Sequence, residues 1–149
     1  MSDHNVDEDV IEARRTWFEW YAARLEQGVM KPSEPGVRYA CPCCSYPTLG
    51  ERGGYEICHL CNWEDDGQDD PYADEVWGGP NGAYSLTQAR ENFKRYGSMY
   101  GPEGAQGDTP KKRDAKRAII EAFDHMSGEA DPVALGALWQ KVYESEKRL

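Results

Sequence analysis

Two C-x-x-C pairs, Cys41/Cys44 and Cys58/Cys61, with thirteen residues between Cys44 and Cys58, constrain this chain more than any other feature. A C-x-x-C turn sets two sulfurs on one side of a point in space, with backbone N–H groups directed at them. Two such turns complete a tetrahedron around a soft cation. The spacing predicts one structural Zn2+ held by Cys41, Cys44, Cys58 and Cys61. It falls just short of the usual ribbon range of roughly 15–20 residues, which shortens the intervening hairpin. Four sulfurs leave no coordination position for water or substrate, and this argues against a catalytic metal. Iron in the same cage is the metal alternative, because thiolate ligation suits both ions. A redox dithiol at Cys58/Cys61 would need a βαβ context that is absent, and it would leave the first pair unexplained.

The fifth cysteine, Cys43, is expected to be a free thiol, since C-x-x-C closes a tight turn where C-x-C rarely does. His59, between two ligands, is expected to point outward. The position after each pair favours positive φ, which Asn62 tolerates well and Ser45 less readily. Ser45 is therefore an expected point of strain. Arg38–Ala40 and Tyr55–Ile57 read as short strands entering the two clusters, with Gly53-Gly54 turning between them.

Around this centre the apolar periodicity predicts helices. Residues 7–27 carry Val10, Ile11, Trp17, Phe18, Tyr21 and Leu25 on one stripe, stopped at Gly28, while Trp20 lies off the stripe and is available to a partner. Residues 28–38, with two prolines and two glycines, read as an extended linker. Ser85 and Gln88 make a capping box for a helix that buries Leu86, Ala89, Phe93 and Tyr96 and ends at Gly97. Residues 97–108 are glycine-rich and read as a loop. Thr109-Pro110 and Asp131-Pro132 then start two helices, with stripes Ala115, Ala118, Ile119, Ala122, Phe123, Met126 and Leu135, Leu138, Trp139, Val142, Tyr143. These predict an αα-hairpin. The fold class is small α+β, a zinc-ribbon-like β-hairpin core packed by about four α-helices. Its segments are 1–30, an amphipathic helix; 31–97, the cysteine-rich domain; and 98–149, a loop plus helical hairpin, all within one compact unit.

Charge narrows the partners. Twenty-seven acidic and 17 basic residues give a net charge of −10, which repels phosphate backbones and anionic membranes and suits basic proteins. Seven acidic residues lie between positions 64 and 75, namely Glu64, Asp65, Asp66, Asp69, Asp70, Asp74 and Glu75, and form a candidate partner-binding surface. They lack the spaced pattern of a calcium loop. The basic cluster Lys111, Lys112, Arg113, Lys116 and Arg117 sits at a helix start, where the macrodipole disfavours cations. Its expected offset is the acidic run folded against it, or an external phosphate or acidic partner. A regulatory or nucleic-acid-associated ribbon would rest on this cluster alone, against the overall charge. The acidic N-terminus shows no secretory h-region and no run of about 18 apolar residues occurs, so a cytoplasmic protein is expected. No nucleophile motif, phosphate-binding glycine loop or paired histidines point to an enzyme.

The segment from Lys31 to Gly97 resembles the cysteine-rich CPCC domain family in its PSEPGVRYACPCC, ERGGYEIC, WEDDGQDD and GGPNGAYSLTQARENF stretches. The helix containing WFEWY resembles the segment that precedes the motif in longer members. Ser45 departs from the glycine common there. The resemblance implies bacterial, cytoplasmic, metal-binding proteins, mostly without an assigned activity, some of which look like immunity proteins of polymorphic toxin systems. It thus implies an immunity-type inhibitor, and the net charge of −10 independently suits a basic toxin met through an acidic surface.

Overall fold

The two cysteine turns build their own local sheet structure, and the helices close around them. A computed structural model describes residues 2–28 and 36–149. In order, the elements are α1 (Ser2–Glu26), β1 (Tyr39–Ala40), β2 (Pro47–Leu49), α2 (Leu86–Tyr96), α3 (Pro102–Gln106), α4 (Pro110–Met126) and α5 (Pro132–Glu146). Short 3-10 turns at Asp70–Tyr72 and Gly79–Asn81 punctuate the acidic segment. The α+β class holds, with one two-stranded antiparallel sheet among the described residues.

That sheet differs from the expected one. β1 pairs with Pro47–Leu49, Tyr39 opposite Leu49 and Ala40 opposite Pro47, across a register irregularity. The predicted strand Tyr55–Ile57 contributes a single bridge, Ile57 to Glu64. The reason is the tightness of the cysteine turns. Each one reverses the chain at once, so its flanks pair with each other and not with the flanks of the other turn. Tyr55 itself takes φ 63°, which ends any regular strand there.

The helices follow the apolar stripes with local exceptions. In α1, Phe18, Tyr21, Ala22 and Leu25 are buried, whereas Val10, expected on the stripe, is exposed, as is Trp20. The guanidinium of Arg24 lies 5.3 Å from the Trp20 ring. Most of the predicted linker falls outside the described residues. Ser85 caps α2 by accepting from the Gln88 backbone N–H, and Gly97 closes it at φ 79°. The Gln88 side chain donates to Asn92 and not back to Ser85, so only half of the capping box forms. Asn92 is buried in place of Tyr96, its Nδ2 donating to the Met99 carbonyl. The expected loop 97–108 contains α3. Thr109 and Asp131 cap α4 and α5 as their sequences predict, and these two helices pack as the αα-hairpin.

Phe123 sits where the helices meet the first cysteine turn. Its ring packs against Phe18 of α1 at 5.9 Å, Tyr46 at 5.7 Å and Trp139 of α5 at 5.7 Å, and it is fully buried. Offset and edge-on aromatic contacts of this kind add to the area they bury. Trp139 keeps its indole N–H satisfied by the Tyr21 hydroxyl at 3.0 Å. Tyr46 donates to Asp124 and accepts from Arg14, whose guanidinium lies 4.1 Å over the Tyr46 ring. Burial pushes the Tyr46 phenol well above its usual range, so it stays a neutral donor. One tyrosine, two residues past the first C-x-x-C, thus anchors the cysteine turn to both α1 and α4.

Candidate metal centre

The two cysteine turns are built alike. In the first, Cys41 N–H donates to the Tyr46 carbonyl and Ser45 N–H to the Cys41 carbonyl; in the second, Cys58 N–H donates to Trp63 and Asn62 N–H to Cys58. Both force the fourth residue after the first cysteine into the left-handed region, Ser45 at φ 71° and Asn62 at φ 75°. Ser45 is the strained position foreseen from sequence. Its hydroxyl accepts from Arg15 Nε at 3.3 Å, which ties the strained residue to α1. Backbone N–H groups converge on the sulfurs: Cys43 on Cys41 Sγ at 3.4 Å, Leu60 on Cys58 Sγ at 3.4 Å and Trp63 on Cys61 Sγ at 3.5 Å. The Thr48 hydroxyl donates to Cys58 Sγ at 3.0 Å.

The turns face each other across a buried centre. Cys41, Cys44, Cys58 and Cys61 are all buried and unbridged, and their sulfurs lie within 4.8 Å of one another. Cys41 Sγ is 3.6 Å from Cys61 Sγ, and Cys44 Sγ is 3.7 Å from Cys58 Sγ. A tetrahedral ion with sulfur at about 2.3 Å sets its ligands about 3.8 Å apart. The nest therefore has the size and donor set to hold a metal ion in a zinc-ribbon-like arrangement. Burial pushes the thiols of Cys41, Cys44 and Cys61 upward. Burial acts the same way on Cys58, but hydrogen bonds from Cys41, Cys44, Cys61 and Thr48 outweigh it and hold that thiol well below its usual range. A metal takes cysteine as the thiolate, so uptake of a divalent ion at this nest must release protons.

Cys43 is buried beside this nest but outside the set of four. His59 also lies outside it. It turns away from the sulfurs, and its Nε2 meets Glu146 Oε2 of α5 at 2.6 Å. Arg38 completes the cluster with two hydrogen bonds to the same carboxylate. Burial alone would raise Glu146, but the His59 and Arg38 contacts dominate and hold it at about 2. A depressed carboxylate stabilises the fold at pH values above its unfolded value near 4.5, and that contribution is lost as pH falls toward 2. At neutral pH it amounts to about 2 kcal/mol after discounting for residual solvent contact. Unfolding free energies from urea titration of the metal-loaded protein and of Glu146→Gln should therefore differ, and the gap should narrow by about 0.5–1 kcal/mol between pH 6 and pH 4. A gap of constant size would count against the contact.

The acidic run is less open than its sequence implies. Asp65 is fully buried: its carboxylate accepts from Arg52 Nε at 3.0 Å, from Gly53 N–H at 2.6 Å and from Gly67 N–H at 3.2 Å. Asp69 pairs with Arg52 at 2.9 Å, while Asp70 is shared by Arg15 at 3.3 Å and Arg90 at 2.7 Å. Burial would lower the Arg52 guanidinium, yet Asp69 and Asp65 together hold it above its ordinary value. Arginines at 14, 15, 52 and 90 carried no signal in the sequence, because their partners lie 13 to 110 positions away along the chain. Glu64, Asp66, Asp74 and Glu75 have no ion pair among the described residues. The basic cluster on α4 does not meet the acidic run. Lys116 pairs with Asp108 at 2.7 Å, Arg117 with Asp114 at 3.2 Å, and Arg113 donates to the Asp108 carbonyl, while Lys111 and Lys112 are exposed.

Among the described residues no helix is long and apolar enough to cross a membrane. No curated protein and no solved structure matches the chain. The model of one family, cysteine-rich CPCC, matches residues 39–114. That span is half of the chain, runs from β1 into the first turns of α4, and contains both cysteine turns and the whole acidic segment. The matched residues are those that build the sulfur nest and the loops packed on it, and the chain belongs to the cysteine-rich CPCC family.

Proposed function

We propose that this chain is a non-enzymatic, zinc-stabilised binding protein, an immunity-type inhibitor that neutralises a basic toxin by direct contact through its acidic surface. The observation that carries this reading is the enclosed nest of four sulfurs. An ion ligated by Cys41, Cys44, Cys58 and Cys61 has a filled coordination sphere, so its contribution is to folding and not to bond making. Zinc fits such a role because it has no redox chemistry. The net charge of −10 supplies the long-range attraction that speeds association with a basic protein. Glu64, Asp66, Asp74 and Glu75 are the members of the run left for a partner, while Asp65, Asp69 and Asp70 act from within the loop. The helical hairpin α4–α5 extends beyond the family match and is read as a specificity element in a cytoplasmic protein.

Co-expression with a candidate toxin from a neighbouring gene tests the reading. Growth should be restored, and toxin and inhibitor should co-purify as a complex. A soluble, zinc-loaded protein that neither protects cells nor binds the neighbouring toxin would overturn it.

A further inference from the structure

The loop between Gln68 and Trp77 places apolar surface in water. Tyr72, Val76 and Trp77 are 49%, 58% and 44% exposed, and the Tyr72 and Trp77 rings lie 5.8 Å apart. Single exposed apolar side chains are ordinary, but three within six consecutive positions form a patch. The backbone beneath them is anchored. Gln68, itself buried, donates through Nε2 to the carbonyls of Tyr72 at 2.7 Å and Glu75 at 2.6 Å. Thr87 at the start of α2 donates its N–H to the Ala73 carbonyl and its hydroxyl to Asp74. Aromatic side chains on such a support lose little freedom when they are covered.

The surrounding charge selects what covers them. Asp69 and Asp70 are neutralised by Arg52, Arg15 and Arg90, so the unpaired negative charge of this loop lies at Asp74 and Glu75, beside the rings. Glu75 also accepts from the Trp77 indole N–H at 3.1 Å, which fixes that ring next to a carboxylate. A π face flanked by carboxylates favours a guanidinium, which stacks on the ring while its edge donates to oxygen. We propose that Tyr72, Val76 and Trp77, with Asp74 and Glu75, form the contact surface for a basic protein partner and receive an arginine side chain of that partner on the Tyr72–Trp77 rings. This inference rests on the binding-protein reading above and locates its surface.

Fluorescence anisotropy with labelled nona-arginine and nona-lysine peptides, on the full zinc-loaded chain, tests the surface without the toxin. Trp77→Ala leaves net charge unchanged, so binding by charge alone would be unaffected. The expected result is about a tenfold loss of nona-arginine affinity in Trp77→Ala, a smaller loss for nona-lysine, and none in Val133→Ala. Tyr72→Ala should weaken nona-arginine in the same sense. Equal binding by wild type and both variants would overturn the surface, as would a dimer in sedimentation that Trp77→Ala dissolves, since the patch would then belong to a second copy. The two readings fail separately. Toxin protection that survives Trp77→Ala and Tyr72→Ala sinks this surface alone, whereas Trp77-dependent arginine selection in a chain that protects from no toxin sinks the immunity reading alone.

Discussion

Cys41→Ser or Cys61→Ser should yield a chain that no longer binds a stoichiometric metal and no longer folds stably. Apparent binding free energies for four-ligand zinc sites are about 10–16 kcal/mol at neutral pH, as large as the whole stability of an ordinary domain. The coupling is direct here, because the four sulfurs meet between the two cysteine turns and Tyr46 carries the first turn into the aromatic cluster around Phe123. Serine at either site also leaves a buried group in a nest built to hold charge. Elemental analysis should find one zinc per wild-type chain in a colourless solution and none in the variants, and circular dichroism should show loss of the cooperative melt. A Cys41→Ser protein of unchanged melting temperature would refute the coupling. Cys43→Ser is the internal control: zinc content should be unchanged, and loss of the equivalent would mean that the ligand set is wrong.

The second large effect is expected at Asp65. Asp65→Ala should destabilise the fold by about 1–3 kcal/mol, since the carboxylate is buried while its partner Arg52 stays partly in water and keeps Asp69. Three donors, Arg52 Nε and the N–H groups of Gly53 and Gly67, would lose their acceptor together. The loss should appear in chemical denaturation as a lower midpoint. Asp74→Ala, on the exposed side of the same run, should stay within about 1 kcal/mol of wild type. Equal midpoints for wild type and Asp65→Ala would show that the Arg52 contact contributes nothing. This pair of variants separates carboxylates that hold the loop from those available to a partner, a distinction invisible in a string of acidic letters.

What could be read from the chain beforehand follows from the range of each interaction. The sulfur nest was legible because a C-x-x-C turn is local and its chemistry needs only four residues of one type. Ser45 and Asn62 followed from the same turn. The starts of α2, α4 and α5 were legible from Ser85, Thr109 and Asp131, whose capping bonds span two or three residues. Strand partners were not, because periodicity does not say which flank of a tight turn pairs with which. The link from His59 to Glu146 spans 87 positions and joins two residues that look unremarkable in isolation. The arginines that neutralise Asp65, Asp69 and Asp70 were hidden for the same reason, and the run therefore read as more exposed than it is. Tyr72, Val76 and Trp77 passed without notice among acidic neighbours, since exposure is a property of the fold and not of the residue.

The Glu146 clamp also bears on the order in which this molecule is made. The ribosome completes the second cysteine turn long before the residue that braces its histidine, and at 5–20 residues per second the interval is roughly 4–17 s. Throughout that time the nascent turns have neither the closing helix nor its carboxylate beside them. A cation taken up before that point would be held by the two cysteine turns without this brace, and the last helical turn would lock in place afterwards.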